Sequence, residues 1–201
     1  EDRTMLAANG YTVDILREAR PFVEARVSRG ADRVIMEWSR DSAFRFFPLV
    51  EDELMGLALH PFDLATNKVL AMAGRLEARD WIDVMSCDEK IQPFGYLAWA
   101  ACGKDPGFSP QSLISEASRA HYSQAELDML DFAGAAPNAA RLGLRWHEML
   151  QAARAICDLL PAEEVGKCVI TREWDLFRGN SAELAKALMA GHIAFHAGRI
   201  G

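Results

Sequence analysis

Four charged residues between positions 63 and 83 are spaced as a site for anions would need them: Lys68, Arg75, Asp80 and Asp83 in "DLATNKVLAMAGRLEARDWID". At 100° per residue, a helix over this stretch sets Leu64 and Ala71 on one side of Lys68 and Met72, Ala65 and Leu76 on the other, with Arg75 close to it in angle. Asp63, Thr66, Asn67, Gly74 and Glu77 gather opposite and supply a solvent face without the two cations. A buried ammonium or guanidinium is costly unless paired. Two of them, roughly 10 Å apart along one apolar face, therefore suit a cleft that holds anionic groups. The plainer alternative is that both lay their stems on the core and reach water with their heads.

Asp80 and Asp83 are three apart and share a face on a helix, where carboxylates can also be no more than the acidic first turn that a helix dipole favours. In one unbroken helix Lys68 and Asp83 lie about 22 Å apart, too far to serve one small ligand. If they act together, the helix must stop and turn between Gly74 and Ala78, where a glycine and a short polar run permit it.

The elements around this stretch change character at Pro61. From Thr12 to about Leu59 the text is β-like, with Val27, Val34, Ile35, Phe44, Phe46 and Phe47 as strand formers and Gly30, Asp32 and the Asp41-Ser42 step as punctuation. From Pro61 to about residue 160 the periodicity is helical. Ser109-Pro110 gives a cap followed by proline, Ser123 and Glu126 have capping-box spacing, and the loop around Pro137 interrupts. Residues 166 to 179 predict one strand or two short ones, and a last helix is expected from Asn180, with Glu183 three residues on, to about Ala197.

A net charge of −7 and a pI near 5.3 argue against a broad nucleic-acid footprint. No apolar run reaches the length of a membrane span and no signal-peptide pattern opens the chain, so a cytoplasmic protein without membrane contact is expected. Cys87, Cys102, Cys157 and Cys168 lack the spacing of a zinc site and read as reduced structural thiols.

"HPFDLATNKVLAMAGRLEARDWIDV" (60 to 84), preceded by "WSRDSAFRFFPLVEDELMGLALH" (38 to 60), resembles the AbiEii/AbiGii toxin family of nucleotidyltransferases. These are bacterial proteins with a polymerase-β-like catalytic core and a helical C-terminal region. The likeness is strongest over residues 34 to 85 and continues weakly, as at "KDPGFSPQSLI" (104 to 114). It implies transfer of a nucleoside monophosphate from an NTP to an acceptor, in some members the 3′ end of tRNA, with Mg²⁺ as cofactor and a cognate antitoxin protein as partner. The lysine of LATNK then contacts the nucleotide phosphates and an aspartate of RDxxD completes the site. These roles fall on Lys68 and Asp83, with Asp80 the second choice, Arg75 and Arg45 as further phosphate contacts, and Asn67 beside Lys68 as substrate-binding. A cation on the triphosphate and a carboxylate near metal or acceptor hydroxyl are what in-line phosphoryl transfer requires.

The resemblance implies an α+β fold: part of a nucleotidyltransferase-type mixed or antiparallel sheet in residues 1–90, then a mainly helical region in 91–201. The family's metal-binding GSx(n)DxD motif is absent, and "EDE" at 51 to 53 is the nearest acidic cluster. In the family that motif lies before the point where this chain begins, so the expectation is half a catalytic site, inactive alone. The alternative is a non-catalytic helical module acting through a protein partner.

Other candidates are weaker. His192 and His196 have i, i+4 spacing on the expected last helix but lack a third zinc ligand and read as a surface pair. Trp38, Trp81, Trp99, Trp146 and Trp174 read as core rather than base-stacking platforms. Arg141, Arg145, Arg154, Lys167 and Arg172 read as surface charge rather than an RNA groove.

Overall fold

Gly30 takes a positive φ of 63° between two of the β-branched runs, a conformation glycine adopts without a Cβ clash, and the chain folds back on itself there. The result is an antiparallel meander of β1 (Thr12–Ala19), β2 (Phe22–Arg29) and β3 (Asp32–Ser39), preceded by a short helix, α1 (Asp2–Ala8). Its register sets Val13 opposite Val27 and Val27 opposite Val34. One face therefore collects the apolar side chains, with Ala25 and Val27 buried. The structure, a computed structural model, describes residues 2–20, 22–39, 43–54 and 56–200; the Asp41-Ser42 turn signal lies outside the described residues.

The chain divides into two compact units, Glu1–Ser42 and Ala43–Gly201. The second unit opens with short strands, β4 (Phe44–Arg45), β5 (Val50–Asp52) and β6 (Gly56–Ala58). Helices follow: α2 (Pro61–Arg75), α3 (Ala78–Lys90), α4 (Phe94–Ala101), α5 (Pro110–Ala117), α6 (Gln124–Asp128) and α7 (Ala139–Cys157). It closes with β7 (Lys167–Thr171), α8 (Ser181–Met189), β8 (Ile193–Ala197) and β9 (Arg199–Ile200). Among the described residues every strand pairing is antiparallel: β5 with β6, β7 with β8, and β4 with the distant β9. The fold is α+β.

The core of this unit is built around α4, a helix buried on all sides and packed by α2, α5, α7 and β7. Its approach to α7 is close enough that a Cβ on Gly95 would lie 2.9 Å from the Ala153 Cα, so only glycine fits there. Trp81 and Val84 of α3 share this core with Phe94 and Leu97 of α4. The expected division at 90/91 thus falls inside the second unit, between two elements of one core.

The helix starts read from the sequence are present. Ser109, Ser123 and Asn180 each accept a backbone N–H from their own first turn, with Ser112, Glu126 and Glu183 bonding back. The expected helix from Asn180 to Ala197 is corrected: α8 ends at Met189, Gly191 turns at a φ of 67°, and β8 pairs with β7. Ile193 and Phe195 are worth more against that sheet than in another helical turn.

Candidate functional site

Two helices meet in an elbow at the residues that opened the sequence analysis. α2 ends because Leu76 adopts the left-handed conformation, φ 50° and ψ 49°, with its N–H donating to the Met72 carbonyl at 3.0 Å. Gly74 stays helical, so the break comes just after it, and extended Glu77 starts α3. A left-handed leucine costs energy; its side chain is packed partly into the core, which holds it there.

The elbow folds α3 back along α2 and collapses the 15-residue separation. Lys68 Nζ lies 2.7 Å from Asp83 Oδ2 and 3.6 Å from Asp80 Oδ1. Arg75 closes the group with two parallel bonds to Asp80, Nε to Oδ2 at 2.6 Å and Nη2 to Oδ1 at 2.9 Å. The two carboxylates differ in exposure: the Asp80 side chain is 0% accessible, that of Asp83 is 44%, and that of Lys68 is 41%. Burial alone would raise the Asp80 pKa. The hydrogen bonds and charge of Arg75, with the charges of Lys68 and Arg79, outweigh it and hold the carboxyl below its ordinary value. Asp80 is therefore an anion clamped by a guanidinium, while Lys68 and Asp83 form an open pair at the surface.

The sequence-based facing of α2 is corrected. Its buried residues are Phe62, Asp63, Ala65, Thr66, Val69 and Met72, so the inward face is centred about 120° round the helix from Lys68. Lys68 and Arg75 lie on the flank that meets α3, Leu64 is exposed, and Asp63 and Thr66, expected in solvent, are wholly buried. Apolarity alone misplaced the face because two of its members are polar.

Asp63 forms a second ion pair. Its Oδ1 lies 2.9 Å from Lys104 Nζ and accepts the Phe46 N–H at 3.0 Å, and its Oδ2 accepts the Phe47 N–H at 3.0 Å. Lys104 also donates to the Asp63 carbonyl at 3.0 Å and to Asn67 Oδ1 at 2.8 Å. Asn67 is thus tied to this buried node. Arg45 lies in β4, opposite Arg199 of β9, with its Nε buried and without a hydrogen-bond partner among the described residues; it is not part of the Lys68 group.

Among the described residues no group of three or more His, Cys, Asp or Glu is arranged to hold a metal ion. His192 and His196 are not on a helix: His192 precedes β8, and His196, within it, has its Nε2 2.6 Å from the Phe46 carbonyl. Trp81, Trp99 and Trp146 are buried, whereas Trp174 is exposed at a φ of 71°. Of the basic residues read as surface charge, Arg145 pairs with Glu89, Lys167 with Glu164, and Arg172 donates to the Gly191 carbonyl. All four cysteines are free thiols, and burial pushes Cys102 and Cys157 up to about 12, outside nucleophilic range. No helix among the described residues is long and apolar enough to cross a membrane.

No protein-family model, curated protein or solved structure matches this chain.

Proposed function

We propose that the α2–α3 elbow is the lysine-and-aspartate part of a nucleotidyl-transfer site of AbiEii/AbiGii type. The observation that carries the reading is the 2.7 Å approach of the Lys68 ammonium to the Asp83 carboxylate across a helix break, between two residues that the resemblance assigns to one site. In this reading the half-exposed Lys68 exchanges Asp83 for an NTP phosphate oxygen and stabilises charge on the triphosphate as the α-phosphorus is attacked. Asp83, released, accepts a hydrogen bond from the acceptor hydroxyl. Asp80 touches no substrate; it is a positioning residue that fixes Arg75 and, at 3.6 Å, biases Lys68.

Mg²⁺, which the resemblance implies, fits poorly here. Asp80 is taken up by Arg75, and one remaining carboxylate does not make a magnesium site. Carboxylates beyond this cluster would have to hold the ion. The resemblance adds an NTP as donor, an RNA 3′ end such as that of tRNA as acceptor, action as a cytoplasmic toxin, and an antitoxin protein as partner.

A second reading has its own observation. The charges of the elbow largely satisfy one another, as they would in a structural clasp of a helical module that binds a protein partner. Incubating the native protein with Mg²⁺, labelled NTPs and total RNA separates the two. Lys68→Ala is expected to lower label transfer about 100-fold or more with the helical circular dichroism unchanged. Equal labelling by both proteins removes Lys68 from the chemistry and leaves the clasp.

A further inference from the structure

The three-stranded sheet of the first unit has two outer strands, and they differ as edges. β1 carries an irregularity between Ile15 and Arg17, which bends a strand and spoils it as a template for further pairing. β3 has none: its eight residues pair with β2 in unbroken register from Asp32 to Ser39. Among the described residues no strand pairs with its far side. Such an edge leaves a row of backbone N–H and C=O groups for another strand to meet. β3 contains no proline, and Val34 and Ile35 at its centre are 55% and 47% exposed, one on each face of the sheet.

The residues of β3 select the strand that fits. Two copies related by a two-fold axis through this edge pair antiparallel, and the axis keeps every residue on its own face, so opposed residues differ by an even number. The axis therefore passes a single residue of each strand. Centred on Arg33 or Glu37, it sets like charges face to face. Centred on Val34 it sets Arg33 against Ile35, and centred on Met36 it sets Glu37 against Ile35. Centred on Ile35, it sets Ile35 against its own copy, Val34 against the partner's Met36, and Arg33 against the partner's Glu37, the last two twice by symmetry, with Asp32 and Trp38 meeting at the ends. Of these registers it is the one that joins opposite charges and apolar side chains at once.

β2 favours the same register. Glu37 lies opposite Glu24, which is itself opposite Arg17 of β1. Like charges directly opposite destabilise a sheet, and the partner's Arg33 gives Glu37 a cation on its open side. Ile35 lies opposite Arg26, on the polar face of the sheet, and its own copy covers it there.

We propose that β3 is a self-pairing edge: two copies of this chain join through Asp32–Ser39, antiparallel and centred on Ile35, into one six-stranded sheet. The assignment does not depend on nucleotidyl transfer and uses neither Lys68 nor Asp83. A single strand pair buries less than the roughly 1,600 Å² of a standard interface, so a dissociation constant on the order of 10–100 μM is expected.

Sedimentation velocity of the full chain from about 5 to 500 μM should follow the mass from the 22.3 kDa monomer towards twice that value. Glu37→Lys sets a lysine against Arg33 at two places and should weaken association tenfold or more. Combining Arg33→Glu with Glu37→Arg exchanges the partners and should restore it to within about threefold. The register has its own readout. In Ile35→Cys the two thiols face each other at about 5 Å and should be joined by a short bifunctional thiol reagent, whereas in Arg33→Cys they lie about 13 Å apart and should not, with wild type treated alongside to account for the native cysteines. A monomer at every concentration overturns the proposal, and needs no variant to do so. So does a dimer that ignores Glu37→Lys, that the charge exchange fails to restore, or that cross-links equally at positions 33 and 35.

Discussion

α2 contributes one residue to each of two lysine–aspartate pairs of almost equal length, and the pairs have opposite characters. Asp63 and Lys104 meet at 2.9 Å with side-chain exposures of 0% and 7%, and backbone N–H groups and Asn67 complete their hydrogen bonding. Lys68 and Asp83 meet at 2.7 Å, but each keeps more than two-fifths of its side chain in solvent. Distance therefore says little about role. The buried pair has no room to exchange partners and serves to tie residues 46 and 47, α2 and the segment after α4 together. The open pair costs little to separate, because water can solvate both charges, and it is the one that can trade a carboxylate for a phosphate.

The sharpest way to break the comparison is to remove a cation from each side. Lys104→Met should destabilise the protein by about 3–5 kcal/mol in urea unfolding, since it leaves the Asp63 charge buried without its counter-ion. Adding Asp63→Asn should recover part of that loss; no recovery would mean that the charge itself is not the cost. Arg75→Ala stands between the extremes, with a half-exposed guanidinium but a fully buried partner, and about 1–2 kcal/mol is expected. It should also change the acid limb. A carboxyl whose folded pKa lies below its unfolded value contributes stability above that unfolded value, near 4, and loses it as pH falls toward the folded one. Asp80 is such a group, so wild type should lose stability below about pH 4 more steeply than Arg75→Ala. Lys68→Ala should cost the least, about 0–1 kcal/mol, with thermal unfolding as the check. A loss as large as that of Lys104→Met would class both pairs as structural.

Much of the elbow was legible in the residues. The spacing of Lys68 and Asp83 required a break between Gly74 and Ala78 if they were to act together, and the chain turns at Leu76. What misled was the expectation that polar residues face water: Asp63 is buried because Phe46, Phe47 and Lys104, distant in sequence, supply its partners, and the Thr66 hydroxyl is satisfied by donating to the Phe62 and Asp63 carbonyls of its own helix. Nothing local in "HPFDLAT" announces the Asp63 contacts. The short strands were legible where β-branched residues cluster, and β8 was not, since "HIAFHA" has a helix-compatible pattern and pairs only because β7 is beside it.

The central claim is that the Lys68–Asp83 pair is an exchangeable anion site. Its most direct test is calorimetric titration with inorganic triphosphate, which carries the phosphate charges of every NTP and no base. Asp83→Asn removes the competing carboxylate and should tighten binding about three- to tenfold relative to wild type, while Lys68→Ala should abolish it. Identical binding by all three proteins, or a weakening in Asp83→Asn, would contradict the claim and leave the elbow as a clasp between two helices.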